Sequence, residues 1–108
     1  FWLSCLIIDK DAMARQIRSD REAKFESEKG KTCPTEILET LANYNAEGRP
    51  IWKPMHMQPI FKTNYFVARE DGSDVGADIF ERGLCLPSDI KMTNGEQDKI
   101  IEIVKSCF

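Results

Sequence analysis

The chain has 108 residues, with two Trp, two Tyr and six Phe, which is material for one core and too little for a second ordinary domain. Eighteen Asp and Glu against fifteen Lys and Arg leave a formal charge of −3, so there is no basic field to hold a nucleic-acid backbone. No apolar run approaches the ~20 residues that span a bilayer; the longest opening run, residues 1–8, is interrupted by Ser4 and stops at Asp9.

The chain opens on Phe-Trp-Leu rather than Met, in what reads as the middle of a strand, and we expect a fragment of a longer polypeptide. Cys5, Cys33, Cys85 and Cys107 contain no C-x-x-C pair and no regular framework, and no N-x-S/T sequon occurs. Three of the four lie in apolar stretches, where a reduced cysteine acts as a small hydrophobe, so the expected compartment is a reducing cytoplasm.

Residues 1–8 are almost wholly apolar and rich in aromatic and branched side chains, the pattern of a central strand covered on both faces. Residues 9–31 are highly charged, with only Met13, Ile17 and Phe25 as sizeable anchors. Met13 and Ile17 lie four apart, and Asp11/Arg15 and Arg18/Glu22 can pair at i,i+4, so a surface helix through the first half is expected before a charged loop. A marked helix follows: Pro34 suits its first position, Glu36 its first turn and Gly48 its stop, with Ile37, Leu38, Leu41 and Tyr44 on one stripe.

Three Pro in residues 49–61 forbid a helix and a regular ladder, leaving an extended, shaped segment. Asp71-Gly72 is turn chemistry, residues 75–81 can form a short helix stopped by Gly83, and Leu84-Cys85-Leu86 is a brief strand ended by Pro87. Thr93-Asn94-Gly95-Glu96 has the form of a capping box, and Ile100, Ile101, Ile103, Val104 and Cys107 make the apolar stripe of a last helix. Asn94-Gly95 could instead turn a hairpin, but helical period follows it. The expected fold class is therefore α+β, a small antiparallel sheet packed with helices in one domain over residues 1–108.

Self-sufficient catalytic motifs are absent: no G-x-G-x-x-G, G-x-x-x-x-G-K-[ST], H-E-x-x-H or G-x-S-x-G occurs. His56 is the only His, so a two-His metal site is ruled out, and cysteine spacing does not support a zinc site. Met55-His56-Met57 offers soft ligands for copper(I), though a packed His satisfied by one hydrogen bond is the simpler reading, and no metal is expected. Arg49, Trp52, Lys53 and His56 bring a guanidinium, an indole, an ammonium and an imidazole onto a stretch stiffened by Pro50 and Pro54. That density suits an anionic, partly flat ligand; the alternative is a core Trp flanked by surface charges. Lys53 and Lys62 would serve as Schiff-base lysines only in a desolvated or cationic setting.

The run Glu47-Gly48-Arg49-Pro50-Ile51-Trp52-Lys53-Pro54-Met55-His56-Met57-Gln58-Pro59, then Ala77-Asp78-Ile79-Phe80-Glu81-Arg82-Gly83-Leu84-Cys85-Leu86-Pro87-Ser88 and a capped last helix, resembles the C-terminal small domain of the DegT/DnrJ/StrS family of pyridoxal-phosphate-dependent nucleotide-sugar aminotransferases. Phe1-Trp2-Leu3-Ser4-Cys5 resembles the first strand of that domain.

The resemblance implies a fold-type-I enzyme whose large N-terminal domain, absent here, holds pyridoxal phosphate on a lysine in a Ser-x-x-Lys segment. The small domain closes the cleft, usually within a homodimer. An amino group, commonly from glutamate, passes by way of the cofactor to a keto sugar on a nucleoside diphosphate, for polysaccharide or glycan synthesis. Nothing in this chain matches the Ser-x-x-Lys segment, so it is expected to contribute no catalytic residue, to bind no cofactor alone and to be inactive alone. The resemblance puts Trp52, Lys53 and His56 at or near the mouth of the substrate cleft, with Arg49 just before them. The competing expectation is a free-standing α+β ligand-sensing or interaction domain whose basic turn binds a small anion without catalysis.

Overall fold

The computed structural model describes residues 2–19 and 22–108. The element order is β1 (Cys5–Ile7), β2 (Gln16–Arg18), β3 (Ala23–Phe25), α1 (Pro34–Asn43), β4 (Arg49–Pro50), α2 (Val75–Arg82), β5 (Gly83–Cys85) and α3 (Asn94–Ser106). Single 3-10 turns at Lys10–Ala12, Met55–Met57 and Pro59–Phe61 fill the connections. The class is α+β, as expected: a three-stranded antiparallel sheet of order β1-β5-β4, a separate β2-β3 hairpin, and three helices.

The sheet corrects the expectation for its first strand. The central strand is β5, buried at all three residues, while β1 lies at an edge with Cys5 and Ile7 exposed. A strand's place is set by what pairs with it, and an apolar run cannot reveal that. Arg49 and Pro50 do pair, opposite Cys85 and Leu84, because an edge strand tolerates a proline that cannot donate. Phe1, the start of the expected first strand, lies outside the described residues, as do Asp20 and Arg21 of the charged stretch.

The surface helix expected in residues 9–31 is a hairpin instead, with Gln16, Ile17 and Arg18 opposite Phe25, Lys24 and Ala23. Arg15 pairs across the hairpin with Glu26 at 3.6 Å, and Lys24 of β3 pairs with Glu22 just before it at 2.6 Å, in place of the expected i,i+4 pairs. Both are exposed surface pairs and hold little of the fold. Gln16 does more: its side-chain oxygen accepts from the Thr35 hydroxyl at 2.8 Å, and its amide donates to the Glu81 carbonyl at 2.7 Å. One side chain thereby joins the start of α1 to the end of α2. Arg18 lies over the Phe80 ring, 4.4 Å from its centre, and donates to the Phe80 carbonyl.

Helix α1 begins at Pro34, and Ile37 and Leu41 are fully buried, whereas Tyr44 at the end of the expected stripe is 67% exposed. Ile37 and Leu41 meet Ile8 and Leu84 in the core; Leu6, Leu38, Ile100, Ile103 and Val104 pack around them. Ile101 of the last stripe is exposed. The Thr93 capping box forms as expected: the Glu96 amide donates to the Thr93 hydroxyl, and the Glu96 carboxylate accepts from the Thr93 amide at 2.8 Å. No helix among the described residues is long and apolar enough to cross a membrane.

Helix α2 runs into β5 without a loop, and Gly83 is the junction. A Cβ at Gly83 would stand 2.5 Å from the Ile79 carbonyl oxygen and 2.7 Å from Ile51 Cγ1. At Gly95, in the first turn of α3, a Cβ meets nothing within 4 Å. Gly83→Ala is therefore expected to lower stability by about 1–3 kcal/mol, and Gly95→Ala to raise it by up to about 1 kcal/mol, in urea unfolding at one pH. Equal effects of the two changes would refute the close-approach account.

Candidate functional site

The segment from Arg49 to Gln58 begins in β4 and leaves the sheet as a proline-stiffened strap. Ile51 is pressed on Gly83, and Pro54 lies 3.4 Å from the place a Cβ would take at Gly76, so the strap is seated where α2 carries no side chain. The 3-10 turn Met55–Met57 then closes on the Pro54 carbonyl, and the Gln58 amide side chain donates to the Lys53 carbonyl.

His56 is drawn back against the protein. Its Nε2 lies 2.6 Å from Asp74 Oδ2, and its ring stacks on Phe66 with centres 3.7 Å apart. The other Asp74 oxygen accepts from the Ala77 amide at 2.9 Å, capping α2. That amide bond, together with the His56 contact, holds the Asp74 carboxyl below the usual carboxylate range. An ionised carboxylate can only accept, so the ring hydrogen resides on Nε2, and Nδ1 makes no hydrogen bond among the described residues. Nδ1 accepts from a ligand when the ring is neutral and donates to one when it is protonated.

The other three residues of the expected site are placed separately. Arg49 is exposed and forks onto Glu47 Oε1, at 2.8 and 3.1 Å. Trp52 is 62% exposed, which removes the core reading, and its ring lies 5.6 Å from that of Trp2, itself 79% exposed. Lys53 is half-buried, with partners of its own. The four thus share one strap, each with different neighbours among the described residues. A groove lined by the turn after α1, residues 87–92 and α3, including Tyr44, Met92 and Ile100, lies elsewhere.

Asp74 and Phe66 are neighbours of His56 that sequence reasoning missed. The helix start at residue 75 makes an Asp at residue 74 a natural cap, so one half of its role was readable. The reach back to His56 across eighteen residues was not.

A phosphorylated aldehyde cofactor requires a lysine in a desolvated or cationic setting and a cradle of donors for its phosphate. No lysine among the described residues is buried, Lys53 and Lys62 included, so these residues do not fit the role of its anchor. No group of three or more His, Cys, Asp and Glu is disposed to hold a metal ion among the described residues.

Residues 15–105 match the sequence model of the DegT/DnrJ/EryC1/StrS aminotransferase family, a match that contains the whole strap. The chain is also 45% identical over 75 residues to EpsN of Bacillus subtilis (strain 168), a protein named for pyridoxal phosphate-dependent aminotransferase activity. The aligned part is 69% of this chain and 19% of EpsN, so the chain spans only a small part of that relative's length.

Because its Asp74 carboxyl is held low, the cap and the His56 contact are present at neutral pH and are lost as pH falls through and below the usual carboxylate range. Asp74→Asn keeps a cap oxygen but removes the charge. It is expected to be less stable than the parent at pH 7, with the difference shrinking as the pH falls through and below the usual carboxylate range, in urea unfolding midpoints. A difference that does not change with pH would sink this account.

Proposed function

Because the chain belongs to the DegT/DnrJ/EryC1/StrS aminotransferase family, we propose that it is the C-terminal small domain of a pyridoxal phosphate-dependent aminotransferase. In this reading the longer polypeptide passes an amino group, from glutamate, to a keto sugar carried on a nucleoside diphosphate, in polysaccharide or glycan synthesis. The observation that carries it is the family match over residues 15–105 with the strap inside it. The lack of a buried lysine among the described residues supports placing the cofactor on a large domain outside this chain. When bound there, the cofactor supplies the electron sink for moving the amino group. We further propose that the active assembly is a homodimer in the cytoplasm, where four cysteines without a framework suit a reducing compartment.

The strap's part is to bind and to exclude water. Arg49 can give up its exposed pair with Glu47, of the kind worth at most ~1 kcal/mol, for two parallel bonds to diphosphate oxygens. Lys53 adds a point charge, Trp52 offers an exposed ring face to the flat part of the nucleotide, and His56 presents Nδ1 while Asp74 fixes its orientation. Closure of this segment over the cleft keeps solvent from the reacting centre.

In the full-length polypeptide, Lys53→Ala and His56→Ala are each expected to raise KM for the nucleotide sugar about tenfold, the lower range for a lost charged hydrogen bond. The visible absorbance of the bound cofactor should stay unchanged. Kinetic constants equal to the parent's in both variants would remove the strap from the substrate site, and absence of any aminotransferase activity in the parent would overturn the function.

A further inference from the structure

Strands β1 and β5 place two thiols face to face. Cys5 and Cys85 are direct partners in the antiparallel register, and their sulfurs are 3.4 Å apart. The Ile8 amide donates to the Arg82 carbonyl and the Leu86 amide to the Ser4 carbonyl, so the backbone bonds fall on the even-numbered pairs. Cys5 and Cys85 therefore occupy a non-hydrogen-bonded position, where facing Cα atoms approach to about 4.5 Å. That separation lies within the range a disulfide spans, about 4.4–6.8 Å. The two thiols also differ in access, since Cys5 is exposed and Cys85 is buried.

We propose that Cys5 and Cys85 are a redox-responsive pair, which a small-molecule disulfide converts into a cross-strand disulfide within the existing register. The chemistry balances as two exchanges. The exposed Cys5 thiolate attacks one sulfur of the oxidant and expels the first small thiolate, leaving a mixed disulfide. The Cys85 thiolate then attacks the Cys5 sulfur and expels the second. Two protein thiols are oxidised, one small disulfide is reduced to two thiols, and the two protein protons pass to those products. Burial, then the Cys5 thiol beside it, pushes the Cys85 thiol up to about 11, so little of it is thiolate at neutral pH. Cys33 is fully buried with its thiol pushed up by desolvation, and the Cys107 thiol donates to the Ile103 carbonyl; among the described residues the thiol-to-thiol contact is that of Cys5 with Cys85. This proposal rests on the sheet register and does not depend on the aminotransferase reading.

The test is to treat the purified full chain with excess glutathione disulfide, trap the remaining thiols by alkylation, and measure intact mass and peptide linkage. The expected result is a glutathione adduct on Cys5 that gives way to a product lacking two hydrogens, with the Cys5 and Cys85 peptides joined. Conversion of adduct to product should speed up as the pH is raised from 7 to 10, because the attacking group is the Cys85 thiolate. Cys107→Ser should close normally, and Cys5→Ser should form no intramolecular link. An adduct on Cys5 that persists at pH 10, a link to Cys33 or Cys107, or a disulfide-linked dimer through Cys5 would each overturn the proposal; if Cys5→Ser does not fold, the peptide map of the Cys107→Ser chain decides it.

Discussion

The close approach of the chain to itself at Gly83 is the constraint on which the rest depends. Helix α2 ends and β5 begins at this one residue, with the Gly83 amide donating to the Ile79 carbonyl. A side chain there would strike that carbonyl and Ile51 together. Arg82, one residue earlier, holds the junction from the other side. Its guanidinium forks onto Asp78 at 2.9 and 2.5 Å, and its remaining arm donates to the Ile8 carbonyl at 2.5 Å, while the Ile8 amide donates to the Arg82 carbonyl. The bidentate pair with Asp78 keeps that carboxyl below its ordinary range. Helix, central strand and edge strand are thus joined within two residues.

The junction also determines the position of the strap. Because β5 is bonded on both sides, β4 has one edge available, and the chain must leave it at Pro50 and pass over α2. Ile51 and Pro54 settle against two glycines, Gly83 at the end of α2 and Gly76 near its start. His56 and Asp74 then fasten the strap to the start of the same helix. Anything the strap binds is therefore referred to α2, and through Arg82 to the sheet.

The parts of this arrangement that the sequence displays are those decided by near neighbours. Pro34 at a helix start and the Thr93–Glu96 box are settled within one turn, and both stand where the sequence places them. The strap was legible as an irregular segment from its prolines, and its family character from the unusual run of residues that it carries. The order of the sheet was not, because Cys5, Leu84 and Arg49 are brought together by pairings across tens of residues. The hairpin at residues 16–25 was hidden for a different reason: mixed-sign charges satisfy a helix at i,i+4 and a hairpin across strands equally well, and Gln16, which favours the hairpin, finds its partners in α1 and α2. The same distance hid Asp74 from His56.

These pairings also bear on what the strap can recognise. Two of its cationic or potentially cationic groups already face a carboxylate of the chain, Arg49 at Glu47 and His56 at Asp74, so the strap offers little bare positive charge. A diffuse anion gains nothing by replacing an exposed partner of equal charge. A ligand with two oxygens at the spacing of a guanidinium fork, and a flat group for the exposed Trp52 ring, gains from geometry that neither Glu47 nor water reproduces. Under the function we propose, internal pairing would therefore favour the shape of a diphosphate with its attached ring over charge alone.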